Sequence, residues 1–151
     1  MSERKRETQF RFLAEAADEG FGGKVHAGAV MKWINQAAYA CATAWSGKHC
    51  IAAFVGETHF VRPIHVGEVV DVRATLAKTG RTSMRILVRV ATADARTLDH
   101  RRATECVLVF VALDEASCPT QVPKLALPGE SEDQEWAPLR STNPDWAWNS
   151  P

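Results

Sequence analysis

The residues able to do chemistry are few and fall in three places. The first surrounds Asn35, which sits in a run from Ala29 to Ser46 that has no Gly or Pro and is rich in Ala, Met, Trp, Tyr and Ile. A polar amide among apolar neighbours needs a partner or a task. His26 lies just ahead of that run, and an imidazole titrates near neutrality, which makes it a candidate general base. The second place is Glu57 and His59, two apart in an extended segment and hence on one face. They read as a polar pair or as two solvated groups. The third is Gly80-Arg81-Thr82-Ser83. It offers a cation, two hydroxyls and a pliant backbone to a phosphate, or it is an ordinary charged hairpin. Arg101-Arg102 is a further basic step. His49, His65 and His100 fall at turns without ligand spacing and read as solvated. Cys41, Cys50, Cys106 and Cys118 form no CxxC and no metal-ligand pattern, so they read as small buried hydrophobes in a reducing compartment. A serine hydrolase is disfavoured by the lack of a GxSxG elbow. A dinucleotide fold is disfavoured by the lack of GxGxxG after a strand.

The elements that must hold these residues follow from periodicity. Val30, Ile34, Ala37, Ala38 and Cys41 recur on one helical face. Most other residues from Ala29 to Ser46 are apolar too, which predicts a helix buried on more than one side. Gly22 and Gly23 open this stretch, and Gly47 is placed to end the helix in the left-handed conformation. Thr8 to Leu13 alternates weakly, as a short first strand, and Ala14 to Gly20 reads as a polar connection. Cys50 to Arg62 is one long strand bent near Gly56. Val70, Val72, Ala74 and Leu76 alternate with polar residues, as do Met84, Ile86, Val88 and Val90, giving a hairpin around Lys78–Arg81. Arg101 to Leu113 is a strand whose centre is apolar on both faces and needs cover on both. One long helix with antiparallel strands is an α+β solution in which the sheet wraps the helix. A helix this apolar has no wet outer face, so a second copy is expected to cover what remains.

The totals set bounds. The chain has 151 residues, the length of one domain. Eighteen basic residues balance eighteen acidic ones, which gives no field for nucleic acid or an anionic membrane. The N-terminus is charged throughout and no apolar run approaches the roughly 20 residues of a membrane span. A cytoplasmic protein is expected. From Pro119 the character changes: six of the seven prolines and three of the five tryptophans (Trp136, Trp146, Trp148) lie there. The expected organisation is a domain over 8–118 and a tail over 119–151.

Four segments in this order resemble the hotdog-fold acyl-CoA thioesterases of the bacterial acyl-CoA hydrolase branch. They are GGKVHAGAVMKWINQAA, THFVRPIHVGEVVDV, TGRTSMRILVRV and RATECVLVFVALDEASCP. The resemblance covers about residues 8–118. It implies a hotdog fold, with a five- or six-stranded antiparallel sheet wrapped around one helix. It also implies a homodimer with a continuous sheet and shared active sites, commonly assembled as a trimer of dimers. The implied activity is hydrolysis of an acyl-CoA thioester to free acid and CoA, with the CoA thioester as substrate and no cofactor or metal.

The resemblance also implies roles. The helix N-terminus supplies amide donors to a developing oxyanion, the amide near Gly28 foremost, with Ala27 and Gly28 small enough for close approach. Ala52 and Ala53 flank the pantetheine arm, and Arg81, Thr82 and Ser83 contact CoA. His26 fills a slot that relatives occupy with His or Phe. Two positions depart from the pattern. Lys24 stands where many relatives have Asn or Asp to orient a water. Asn35 stands where relatives carry the Asp or Glu that acts as general base or nucleophile, and an amide can do neither. Three readings of Asn35 stay open: an engineered replacement of Asp, a natural Asn that positions water with weak activity, or an acyl-CoA-binding protein without hydrolysis. Glu57 is then the nearest spare carboxylate.

Overall fold

The computed structural model describes residues 4–97 and 99–126. The three tail tryptophans lie outside the described residues. The chain order is β1 (Glu7–Leu13), a 3-10 turn (Ala16–Asp18), β2 (Glu19–Phe21), β3 (Lys24–Val25), α1 (Ala27–Ser46), β4 (His49–Phe60), β5 (Val69–Thr79), β6 (Ser83–Ala93) and β7 (Arg101–Leu113). Five strands form one antiparallel sheet in the order β1-β5-β6-β7-β4, and β2 pairs only with β3. The long helix packs on one face of that sheet, the expected hotdog fold.

The strand patterns account for the core. Val70, Val72, Ala74 and Leu76 of β5 and Met84, Ile86, Val88 and Val90 of β6 all lie inward and are buried. They meet the helix face of Val30, Ile34, Ala37, Ala38 and Cys41, which is equally closed to solvent. Three of the four cysteines are buried among these hydrophobes. Phe12 of β1 packs edge-on against Trp33 with ring centroids 4.9 Å apart. In β4 the register shifts between Ala52 and Phe54 and again between Val55 and Thr58, so the bend expected at Gly56 is a bulge. A side chain at Gly56 would come within 3.1 Å of the Val107 carbonyl.

Within the single chain the helix keeps an exposed stripe of Lys32, Asn35, Gln36 and Tyr39, the part that the sequence reading leaves to a second copy. These positions recur at helical spacing, so the sheet can reach only the opposite faces. The connection Ala14–Gly20 holds a buried Ala14, a 3-10 turn and a strand, because Glu15 and Asp18 bond each other's backbone in a capping box. Residues 119–126, the start of the expected tail, form a strap along the domain. Val122 is buried in the core, and its amide donates to the Arg81 carbonyl at 2.9 Å. Trp45 Nε1 donates to the Pro123 carbonyl at 2.8 Å and Lys48 Nζ to the Gln121 carbonyl at 2.9 Å.

Candidate active site

The glycines ahead of the helix do not form its first turn. Gly22 and Gly23 have φ of 62° and 76° and join β2 to β3 as a two-residue hairpin loop, a conformation open to glycine and strained for most other residues. The hairpin is tied down by Gly23 N–H to Glu19 Oε1 at 2.7 Å, Val25 N–H to the Ile64 carbonyl at 2.7 Å and Val66 N–H to the Gly23 carbonyl at 2.9 Å. It delivers His26 in extended conformation to the start of α1. His26 N–H donates to the Asp18 carbonyl at 3.0 Å.

His26 is the N-cap. Its Nδ1 accepts from the Ala29 amide at 3.0 Å, which places the ring proton of the neutral form on Nε2. Gly20 lets this ring sit close, since a Cβ there would lie 2.8 Å from His26 Cβ. The ring is thereby committed to the helix end, a structural use that the sequence reading had not assigned. With the Ala29 amide taken, the amides of Ala27 and Gly28 are left without a partner among the described residues, and both residues are exposed. No acidic residue stands in the first turn to quench the positive end of the helix. A carbonyl oxygen bearing negative charge therefore finds open donors here.

Asn35 lies seven residues on from Gly28, two turns along the same side and about 10 Å down the axis. Its side chain is exposed and makes no hydrogen bond among the described residues. Lys24 is exposed on β3. Glu57 and His59 are brought together as a 3.3 Å pair on β4. Ala52 and Ala53 are exposed on the same strand, Ala53 at its first register shift. Ile51, Phe54, Val55 and Phe60 of this edge strand are also 41–52% exposed, an apolar surface on an unpaired edge.

Arg81, Thr82 and Ser83 sit at the opposite end of the helix. The turn is closed by Gly80 N–H to the Ser83 carbonyl at 2.8 Å, and a side chain on Gly80 would strike Ser83 Oγ at 2.5 Å. The strap joins this turn to the helix C-terminus, because Val122 bonds Arg81 while the adjacent Pro123 bonds Trp45. Gly28 and Trp45 are seventeen residues apart, so the hairpin and the open amides are separated by about 25 Å within one chain. Ser83 lines a hollow of about 230 Å³ with Lys78, Thr79, Gly80, Arg85 and Val109. Burial pulls the Arg85 guanidinium down to about 10, which leaves it charged at neutral pH. Lys78 and Arg85 are cations that the sequence reading passed over; their position opposite the turn follows from strand register alone.

The comparisons with known proteins agree with the fold. The thioesterase superfamily model matches residues 22–98, and the chain belongs to that superfamily. An uncharacterized acyl-CoA thioester hydrolase of Zymomonas mobilis is 30% identical over 119 residues, 79% of this chain and 80% of its own length. Protein VdlD of Helicobacter pylori is 26% identical over 113 residues, 75% of this chain, and the chain spans 64% of VdlD. Among solved structures, a hexameric thioesterase from Yersinia pestis superposes with a TM-score of 0.71 at 30% identity, covering 76% of this chain and 93% of that one. An apo-hexameric acyl-CoA thioesterase gives 0.78 at 27% identity, covering 84% and 80%. Among the described residues no helix is long and apolar enough to cross a membrane.

Proposed function

We propose that the chain is an acyl-CoA thioesterase, hydrolysing an acyl-CoA to free acid and CoA without a cofactor, in sites shared between two copies. The observation that carries the reading is the pair of unpartnered amides at Ala27 and Gly28, exposed at the positive end of the central helix. The thioester carbonyl oxygen accepts from these donors, which hold the negative charge that develops when water adds to the carbon. Collapse of that adduct breaks the carbon–sulfur bond and releases the CoA thiolate. Asn35 orients the attacking water through its amide but cannot take its proton. Glu57, held by His59, is the nearest spare base on β4.

The sharing rests on distance. The Arg81–Ser83 turn and the Gly28 amide lie about 25 Å apart in one chain. A second copy, paired antiparallel through the β4 edge, carries its own turn toward this chain's helix N-terminus. The exposed apolar side chains of β4 suit that pairing, and the hexameric state of similar thioesterases supports further assembly.

Release of CoA thiol from a panel of acyl-CoAs tests the activity. The chain is expected to show slow turnover, and Asn35→Asp is expected to raise kcat by roughly a hundredfold to ten-thousandfold, the range of an added general base. No release from any substrate by either form, with CoA still bound, would replace the reading with an acyl-CoA-binding protein.

A further inference from the structure

The outer face of the sheet, away from the helix, carries a second site. Over Ala91 there is a hollow of about 320 Å³ ringed by Arg11, Arg73, Arg89, Arg102 and His100. Two carboxylates share its wall, Asp71 and Glu105. Most of these charges are already paired: Arg11 with Asp71 at 3.1 Å, Arg73 with Glu7 at 3.1 Å and Arg89 Nε with Glu105 Oε2 at 3.5 Å. The Arg102 side chain makes no hydrogen bond or ion pair among the described residues and acts on Glu105 through its charge alone. Three of the four guanidiniums are thus matched by Asp71, Glu7 and Glu105, and Arg102 leaves the rim positive by one charge. Guanidiniums crowded around one small residue repel unless an anion stands between them.

Glu105 supplies an independent observation. Its side chain is only 5% exposed, and Oε1 is buried with no hydrogen-bond partner. A buried carboxylate oxygen without a donor is costly, and nothing in the fold requires it: the position faces outward in the register row of Arg89 and His59. The oxygen needs a donor, while Arg102 beside it lacks a paired carboxylate. An anion that carries its own proton satisfies both.

We propose that this hollow is a phosphate-binding site, in which Arg89 and Arg102 donate to the P–O⁻ oxygens and Glu105 Oε1 accepts from a P–OH. Guanidiniums match phosphate oxygens in the geometry of two parallel donors. The carboxylate acts as a filter. Inorganic phosphate retains one P–OH above neutrality, whereas sulfate retains none and meets Glu105 with like charge. The site lies on the opposite side of the sheet from the Gly28 amides, and it does not depend on the thioesterase reading.

Isothermal titration of the full chain with inorganic phosphate and with sulfate, at matched ionic strength and about pH 8, tests it directly. Burial raises the Glu105 carboxyl above its ordinary value, so the titration is run well above the usual carboxylate range. Phosphate is expected to bind at least about tenfold more tightly than sulfate, the worth of one charge-assisted hydrogen bond. Glu105→Gln removes the like charge and is expected to bring the two anions within about threefold. Arg102→Gln, at an exposed position, is expected to weaken both by roughly tenfold. Equal binding of the two anions, absence of phosphate binding, or an unchanged ratio in Glu105→Gln overturns the proposal. Once binding is measured, competition separates the sources of the phosphate. A phosphate monoester such as the 3′-phosphate of CoA is a dianion without a P–OH at this pH, so CoA is expected to leave bound inorganic phosphate in place, and displacement by CoA at matched concentration overturns the proposal.

Discussion

His26 shows how much one side chain decides. An imidazole next to an anticipated oxyanion site invites a catalytic role, yet here Nδ1 is occupied by the Ala29 amide. The ring closes one of the orphan donors at the helix start, that of Ala29, and leaves the two before it, of Ala27 and Gly28, open. His26→Ala removes that cap and is expected to lower stability by about 1 kcal/mol, seen as a reduced urea midpoint. His26→Asn restores most of it, because Asn is among the best N-caps. Gly28 is bound to the same ring: a Cβ there would press on Nδ1 at 3.1 Å. Asn35 has no such structural use. It is exposed and unbonded among the described residues, so Asn35→Asp changes turnover without a large change in stability.

At the scale of elements, β1 is fastened to β5 by side chains as well as by its ladder. Gln9 Nε2 donates to both Asp71 carboxylate oxygens at 2.9 and 3.0 Å, and Arg11 adds a bond at 3.1 Å. Burial pushes the Asp71 carboxyl up, but these bonds more than reverse it and hold it below its ordinary value. A depressed carboxyl stabilises the fold fully above its unfolded pKa of about 3.9 and loses that contribution as pH falls through the folded value. Asp71→Asn is therefore expected to lower the urea midpoint at neutral pH and to flatten its fall below about pH 5. The strap makes a second element-scale claim. Val122 fills a core position while its amide holds the Arg81 carbonyl. Val122→Ala is expected to cost about 2 kcal/mol from lost burial and the space left behind. Loosening the turn is expected to raise KM for acyl-CoA with kcat little changed, in steady-state thiol-release kinetics.

For the whole molecule, the unpaired edge is the governing fact. An exposed edge strand bearing Ile51, Phe54 and Val55 invites pairing with a second chain, and β4 carries none of the lysines or prolines that commonly block it. Val55→Lys places a charge on that edge. It is expected to shift the protein to smaller species in sedimentation, with turnover falling as the dissociated fraction grows. A fall in turnover without dissociation would separate the edge from assembly.

The sequence by itself determined the elements whose physics is local. Alternation at Val70–Leu76 and Met84–Val90 marked two strands and their inward faces, since the pleat has a period of two residues. The face from Val30 to Cys41 marked the helix, and Gly47 marked its end with φ of 69°. Tertiary structure decided the rest. The β2–β3 pair was not legible because three- and two-residue strands have no periodicity to read. Their pairing depends on Gly22–Gly23 and on bonds to a loop forty residues away. The strap was hidden for the same reason, as Val122 has meaning only beside Trp45 and Arg81. The outer hollow joins residues from four strands and the loop before β7, so only the strand order β1-β5-β6-β7 could assemble it. Local patterning is written in neighbours along the chain. Open amides, orphaned carboxylates and unpaired edges are written in neighbours across it.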